Sequence, residues 1–223
     1  MIYAASDIHG CFEKYRKLLD RISLGPEDTL YLLGDYVDRG PDSVGVLRDL
    51  MNRKNVVPLM GNHDRLTCSI LGLWEGPENK DRDELIGLWF RDGGESTCRG
   101  LLALGREERE TLRVFLGKLP LWKEVTVNGR KYFLSHALPA KNAVRKLTAC
   151  RPDDYLWGET DYSEIYFDDV TLVTGHVPTG LIDPAFTGRI FRGNNHIAVD
   201  CGACFGKPMG CVCLNSGEEF YAE

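Results

Sequence analysis

Five short apolar runs in this chain each lead into a residue type that binds metal, and this placement restricts the fold more than any other feature. "IYAAS" leads through Asp7 to His9, "LYLLG" into Asp35, "VVPLMG" into Asn62 and His63, "KYFLS" into His136 and "TLVTG" into His176. A short apolar run bounded by turn residues reads as a buried strand. In open α/β sheets ligands bind beyond the carboxyl ends of the strands, where the connecting loops converge. The pattern therefore predicts strands whose ends share one polar site. Asp35 sharpens the point, because an ionised carboxylate at the mouth of a buried strand is costly unless a positive charge faces it. A single buried histidine is explained by core packing. Four histidines in the same position relative to a strand, beside Asp7, Asp35 and Asn62, point to metal as that charge. Carboxylate, amide and imidazole ligands without thiolate suit Mn²⁺, Fe or Zn²⁺. A carboxylate with ligands on both sides can bridge two ions, an arrangement suited to displacement at phosphorus.

Helical periodicity fills the spaces between these runs, which is the mark of α/β architecture. Phe12, Tyr15, Leu18, Leu19 and Ile22 line one face of a helix stopped by Gly25 and Pro26. Pro41 and Ser43 open a second helix, with Val44, Leu47, Leu50 and Met51 on its face. Leu66, Ile70 and Trp74 mark a third, followed by "EGPENKDRDE" as a surface loop. "LIGLWFRDGGEST" and "REERETLRVFLGKLP" read as helices interrupted at Gly93, Gly94 and Gly105 and ended by Pro120, an excursion over one edge. Asn128 and Gly129 predict a tight hairpin, and the tail from Gly188 onward is rich in strand. The 223 residues fit one domain, 1–223.

A net charge of -6 argues against a nucleic-acid polymer as partner, since phosphate-backbone affinity comes from clustered Lys and Arg. The chain shows no basic leader and no apolar run of the ~18 residues a membrane span needs, so a cytoplasmic location without membrane contact is expected. Eight cysteines in such a setting read as reduced, small apolar residues. Cys201, Cys204, Cys211 and Cys213 have spacings that a zinc site or a redox protein could use, but the last two alternate as strand residues do. His196, at a strand start, reads as structural or as part of a rim.

"SDIHG" at 6–10, "GDYVDRG" at 34–40 and "GNHD" at 61–64 resemble, in order and spacing, the three blocks of the calcineurin-like metallophosphoesterases, and specifically their phosphoprotein phosphatase branch. "SHA" at 135–137 and "GHVPT" at 175–179 resemble the two later histidine blocks. "WFRDGGEST", "LGKLPLW" and "AVDCGACFGKPMG" extend the likeness over nearly the whole chain. It is nearest to short bacterial and phage members, which include protein phosphatases and symmetrical dinucleoside tetraphosphatases. The resemblance implies a four-layer α/β/β/α sandwich with a dinuclear centre at the strand ends. It implies that Asp7, His9 and Asp35 hold one divalent ion, and that Asp35 bridges to a second held with Asn62, His136 and His176. Mn²⁺ is favoured, with Fe or Zn²⁺ as alternatives. His63 becomes the proton donor to the leaving oxygen, oriented by Asp38, and Arg39 grips the phosphoryl oxygens.

Each role has a physical basis. Two ions outweigh the charges of Asp7 and Asp35, attract a phosphate dianion and allow a bridging hydroxide near neutral pH. Asp38 would fix the tautomer of His63 and raise its pKa. Arg39 offers a planar fork to two oxygens. Two departures concern the phosphate clamp: Met60 and Glu159 stand where relatives carry arginine. A carboxylate at 159 would repel the substrate unless it pairs with a neighbour such as Arg151 or Arg192. The expected activity is hydrolysis of a phosphomonoester, with phosphoserine or phosphothreonine proteins the favoured substrates. Symmetrical bis(5'-nucleosyl)-tetraphosphate hydrolysis is the nearest alternative, and a phosphate-binding regulator without turnover is another.

Overall fold

The computed structural model describes residues 1–74, 76 and 80–223. Its strands are β1 (Ile2–Ala5), β2 (Thr29–Leu32), β3 (Val56–Pro58), β4 (Trp122–Val127), β5 (Arg130–Ser135), β6 (Val170–Thr174), β7 (Phe191–Gly193), β8 (His196–Ala198), β9 (Met209–Cys213) and β10 (Glu219–Ala222). Its helices are α1 (Phe12–Ile22), α2 (Ser43–Asn52), α3 (Asn62–Leu73), α4 (Lys80–Arg91), α5 (Glu95–Leu102), α6 (Arg106–Gly117), α7 (Asp154–Trp157) and α8 (Thr179–Ile182).

The strands form two sheets, in the orders β10-β9-β1-β2-β3 and β4-β5-β6-β8-β7. Within the first, β1, β2 and β3 run parallel; within the second, β5, β6 and β8 do, and the outer pairings are antiparallel. The period-two alternation of strand side chains decides how the sheets meet. Ala4, Tyr31, Leu33, Tyr132, Leu134, Val173, Ile197 and Val212 fill the space between them. Their neighbours Tyr3, Ala5, Leu30, Leu32, Cys211 and Cys213 face outward into a core shared with α1, α2, α3 and α6. On the far side Phe133 and Leu172 pack with Leu138, Tyr155 and Tyr166. The architecture is thus the expected α/β/β/α sandwich, with a thin fourth layer made of α7 and 3-10 turns. Asn128 and Gly129, at φ 51° and 79°, form the predicted hairpin turn.

Two boundaries differ from the sequence reading, and one helix ends where expected but for a nearer reason. Helix α1 stops before Gly25, because Ser23 adopts the left-handed conformation (φ 48°) and returns its N–H to Asp20 O at 3.1 Å. Strand β3 ends at Pro58; Leu59 N–H still bonds to Leu32 O at 2.8 Å, and only Met60 N–H turns away, to Pro120 O at 2.9 Å. The supposed surface loop is helical from Lys80, where Asp81 and Asp83 in the first turn of α4 complement its dipole; residues 75 and 77–79 of that stretch lie outside the described residues.

Ser23 is a side chain where glycine belongs. Ser23→Gly is expected to raise the free energy of unfolding by about 1 kcal/mol, measured by urea denaturation.

Candidate active site

The carboxyl ends of β1, β2, β3, β5 and β6 point to one edge of the sandwich, and the loops leaving them bring together every residue expected there. Asp7, His9, Asp35, Asp38, Asn62, His63 and His136 are buried, and Arg39 and His176 lie at the rim. The backbone reaches this arrangement at a cost. Asp7, His9, Asp35, Asp38, Arg39 and His176 all have positive φ, between 44° and 71°. Left-handed conformations of non-glycine residues persist only where the surroundings impose them, and they gather at functional sites. The loops of β2 and β3 also approach closely: a Cβ on Gly34 would stand 2.5 Å from Gly61 N, and one on Gly61 would stand 2.1 Å from Asp35 Oδ1. The glycines that precede Asp35 and Asn62 in the sequence exist for this contact.

Asp35 is the centre. Its Oδ2 lies 3.5 Å from Nε2 of His9, 3.5 Å from Nε2 of His136 and 4.0 Å from Nε2 of His63. Its Oδ1 accepts from the backbone N–H of His63, at the start of α3, at 3.0 Å. Against the cost of burial, His136 and His63 hold this carboxyl well below the usual carboxylate range. Asp64 fixes the loop around it by accepting from the backbone N–H of Asp35 (2.8 Å), Tyr36 (2.9 Å) and Gly61 (2.9 Å).

Metal ligation requires bare imidazole nitrogens aimed inward, and the second ring nitrogen decides which is bare. Nδ1 of His9 donates to Val37 O at 2.8 Å and Nδ1 of His136 donates to Leu33 O at 2.9 Å. Both carbonyls can only accept, so in the neutral rings Nε2 carries the lone pair. Burial pushes His9 down to about 3 and His176 down to about 4. Nε2 of His136 then faces two more donor atoms of electron pairs, Asn62 Oδ1 at 2.8 Å and His176 Nδ1 at 3.1 Å. Atoms that can each offer a lone pair, gathered at these distances, suit a cation. Asp7, pushed up to about 6 by burial, adds a second carboxylate, which accepts from the backbone N–H of His176 at 3.1 Å. Two overlapping groups have ligand atoms within 4.8 Å of one another: His9, Asp35 and His63, and Asp7, Asp35 and His136. They share Asp35, and the donor set fits divalent cations. Dividing His63 from His9 by chemistry rather than distance follows from its partner.

Nδ1 of His63 donates to Asp38 Oδ2 at 2.7 Å. Although burial works the other way, Asp35 and that hydrogen bond raise His63 to about 9, so it holds a proton where His9 does not. Asp38 is fully buried and is braced by the α4–α5 excursion: Trp89 Nε1 donates to its Oδ1 at 3.0 Å, and Thr97 Oγ1 accepts from its backbone N–H at 2.8 Å. Arg39 reaches Nε2 of His9 at 2.8 Å and Asp92 Oδ1 at 3.0 Å. Asp92 Oδ2 stands 3.5 Å from Nε2 of His63.

The expected clamp positions resolve differently. Met60 is buried in the helix-side core, so its side chain is turned away from the site. Glu159 is exposed, and its two considered partners are engaged elsewhere, Arg151 with Asp154 and Arg192 with Glu219. The cysteines do not gather: Cys201 packs between the sheets, Cys211 and Cys213 face the helices, and all eight are free. His196 is structural, bonded through Nε2 to Thr174 Oγ1 at 2.9 Å. Sequence reasoning missed Asp64, Trp89, Asp92 and Asp200. The last was within reach, because Asp200 follows β8 as the other site residues follow their strands. Buried beside Asp7, it is raised well above the ordinary carboxylate range, mainly by desolvation.

With this geometry in place, comparison with known proteins is informative. A family model of the calcineurin-like phosphoesterases matches residues 1–202. The chain belongs to that family, whose members are metal-dependent hydrolases of phosphoesters. It is 37% identical over 131 residues to "Bis(5'-nucleosyl)-tetraphosphatase, symmetrical" of Erwinia tasmaniensis, covering 56% of this chain and 47% of that one. The chain spans about half the length of the curated relatives it matches first. A solved structure described as a candidate diadenosine tetraphosphatase superposes with a TM-score of 0.70 at 19% identity, covering 99% of this chain and 92% of the other. A serine/threonine phosphatase from Saccharomyces cerevisiae gives 0.64 at 14% identity, covering 100% and 79%. At these identities the two structures speak to fold. Among the described residues no helix is long and apolar enough to cross a membrane.

Asp64→Ala would leave three buried N–H groups without an acceptor. At roughly 1–3 kcal/mol for each unsatisfied group, a loss of more than about 3 kcal/mol in urea denaturation is expected, with Asp64→Asn intermediate.

Proposed function

We propose that this protein hydrolyses a P1,P4-dinucleoside tetraphosphate symmetrically, at the central bridge, giving two nucleoside diphosphates. The observation that carries the chemistry is the convergence of Asp7, His9, Asn62, His136 and His176 around the buried carboxylate of Asp35, with His63 bonded to Asp38 at its side. The names of the curated relatives support the nucleotide as substrate over the phosphoprotein that the sequence motifs alone favoured.

Asp7, His9 and Asp35 would hold one divalent ion and Asp35, Asn62, His136 and His176 a second, with Mn²⁺ favoured by the oxygen and imidazole donors and Fe or Zn²⁺ as alternatives. When bound, such ions supply Lewis acidity that draws the phosphate in and makes a water nucleophilic near neutral pH. His63 would give the departing oxygen its proton from Nε2 once Arg39, whose Nη2 stands 3.0 Å from that nitrogen here, has moved to the phosphoryl oxygens, while Asp38 keeps the other ring proton and the ring's orientation. Arg39 gives up Asp92 for the phosphoryl oxygens and offers them a planar fork. The departing group is a nucleoside diphosphate, a far weaker base than an alkoxide, so the reaction asks less of His63 than a monoester does.

That difference is testable. His63→Asn should lower kcat by about 10²-fold or less on a dinucleoside tetraphosphate, the low end of general-acid effects, and by more on an alkyl phosphate. Metal content by mass spectrometry should stay at the wild-type value in that variant and fall in His136→Ala. A wild-type protein that turns over phosphopeptides faster than dinucleotides, under matched conditions, would restore the phosphoprotein reading. One that binds phosphate and turns over neither would be a regulator.

A further inference from the structure

Beside Arg39 one aromatic side chain stays out of the core. Phe205 is 59% exposed, in the turn joining β8 to β9, between Gly202 and Gly206 at φ 85° and 77°. The turn is firmly held. The N–H groups of Phe205 and Lys207 both bond to Gly202 O, at 2.9 Å and 3.2 Å, and Gly202 N–H bonds to Asp200 Oδ1 at 2.9 Å. Lys14 Nζ reaches from α1 to Ala203 O at 3.2 Å and Lys207 O at 2.6 Å. The ring is thereby kept against Arg39, whose guanidinium carbon lies 5.5 Å from its centroid. At its other edge that guanidinium meets His9 and His63. An exposed phenyl ring forgoes the stabilisation that burial brings, so its fixed position next to the phosphate-facing arginine asks for a ligand.

We infer that Phe205 is a stacking platform for a nucleobase of the substrate; this rests on the nucleotide reading above and names the surface that recognises the nucleoside. A nucleoside polyphosphate needs a cation for its phosphates and a flat apolar face for its base, and Arg39 and Phe205 present the two in contact. Cation–π attraction holds the guanidinium over the ring, and the exposed remainder of the ring is open to a base. Every base has a π face, so this platform accepts purines and pyrimidines alike without reading their edges. It would also take over part of the binding that the apolar Met60 and the exposed Glu159 do not provide.

The test uses the full chain loaded with Mn²⁺, with ADP and inorganic pyrophosphate as probes in titration calorimetry. Wild type should bind ADP more tightly than pyrophosphate by a factor on the order of 10, within the range known for base–aromatic stacking. Phe205→Ala and Phe205→Leu should bring that ratio toward one, and Phe205→Trp should keep or raise it. Truncation also removes the contact with Arg39 and weakens both probes, which is why the ratio is the readout. An ADP-to-pyrophosphate ratio that is the same in wild type, Phe205→Ala and Phe205→Leu overturns the platform. If wild type does not hydrolyse dinucleoside tetraphosphate yet keeps a Phe205-dependent ADP preference, the hydrolase reading falls and the platform stands. Turnover with a ratio indifferent to Phe205 gives the reverse.

Discussion

A buried carboxylate placed where two sheets end is the constraint from which the rest of this structure follows. Removing Asp35 from water costs more than any one neighbour can return, and unpaired buried charge is among the most destabilising features a protein can carry. The chain answers with imidazoles from three separate segments and with the N–H of His63 at the start of α3. Those partners come from both sheets, so the carboxylate can be satisfied only when the sandwich is assembled. The left-handed backbone at Asp7, His9, Asp35 and His176 is the local expression of the same demand, because side chains leaving different strands must turn inward within a few residues.

The helical excursion from α4 to α5 is part of the site rather than an ornament on the sheet edge. Trp89 caps the carboxylate of Asp38, Thr97 holds its backbone, and Gly93 O receives the N–H of Arg39 at 2.9 Å. Asp38 in turn sets the proton on His63. This element opens onto solvent through Asp92 and reaches His63, the proton donor of the proposed function, through Asp38. Substrate range is therefore expected to track this segment more closely than the strand-end residues, which the proposed function assigns to metal.

The sandwich and the gathering of these side chains at one edge were legible because they obey a rule of position: a buried strand, then a polar residue just past its end. What was not legible depends on contacts between residues far apart in the chain. Trp89 looks like any apolar helix residue until Asp38 is seen beneath its indole N–H. Asp64 reads as the tail of a motif until it is found tying three N–H groups of two loops. Direction was equally hidden: sequence alone placed Met60 beside the site, but the chain turns after Pro58 toward Pro120 and carries that side chain into the helix-side core. The start of α4 was obscured because Lys80 to Glu84 are all charged, and only Leu85, Ile86 and Trp89 beyond them carry the apolar face that holds the helix down.

The same turn at Met60 bears on which phosphate compounds suit this site. A monoester presents one dianion and no other handle, so it depends on the guanidinium groups that surround it. Here Arg39 is held in a half-exposed ion pair with Asp92, whose side chain is 48% exposed, and the position before Gly61 gives its side chain to the core. Solvent and salt weaken such a pair, which makes Asp92 an easily displaced stand-in for an anion. A tetraphosphate brings several anionic groups to compete for that guanidinium, a leaving group that needs little acid assistance, and a nucleoside at each end to bind elsewhere. These features support the proposed polyphosphate anhydride, over an isolated phosphate on a peptide, as the substrate.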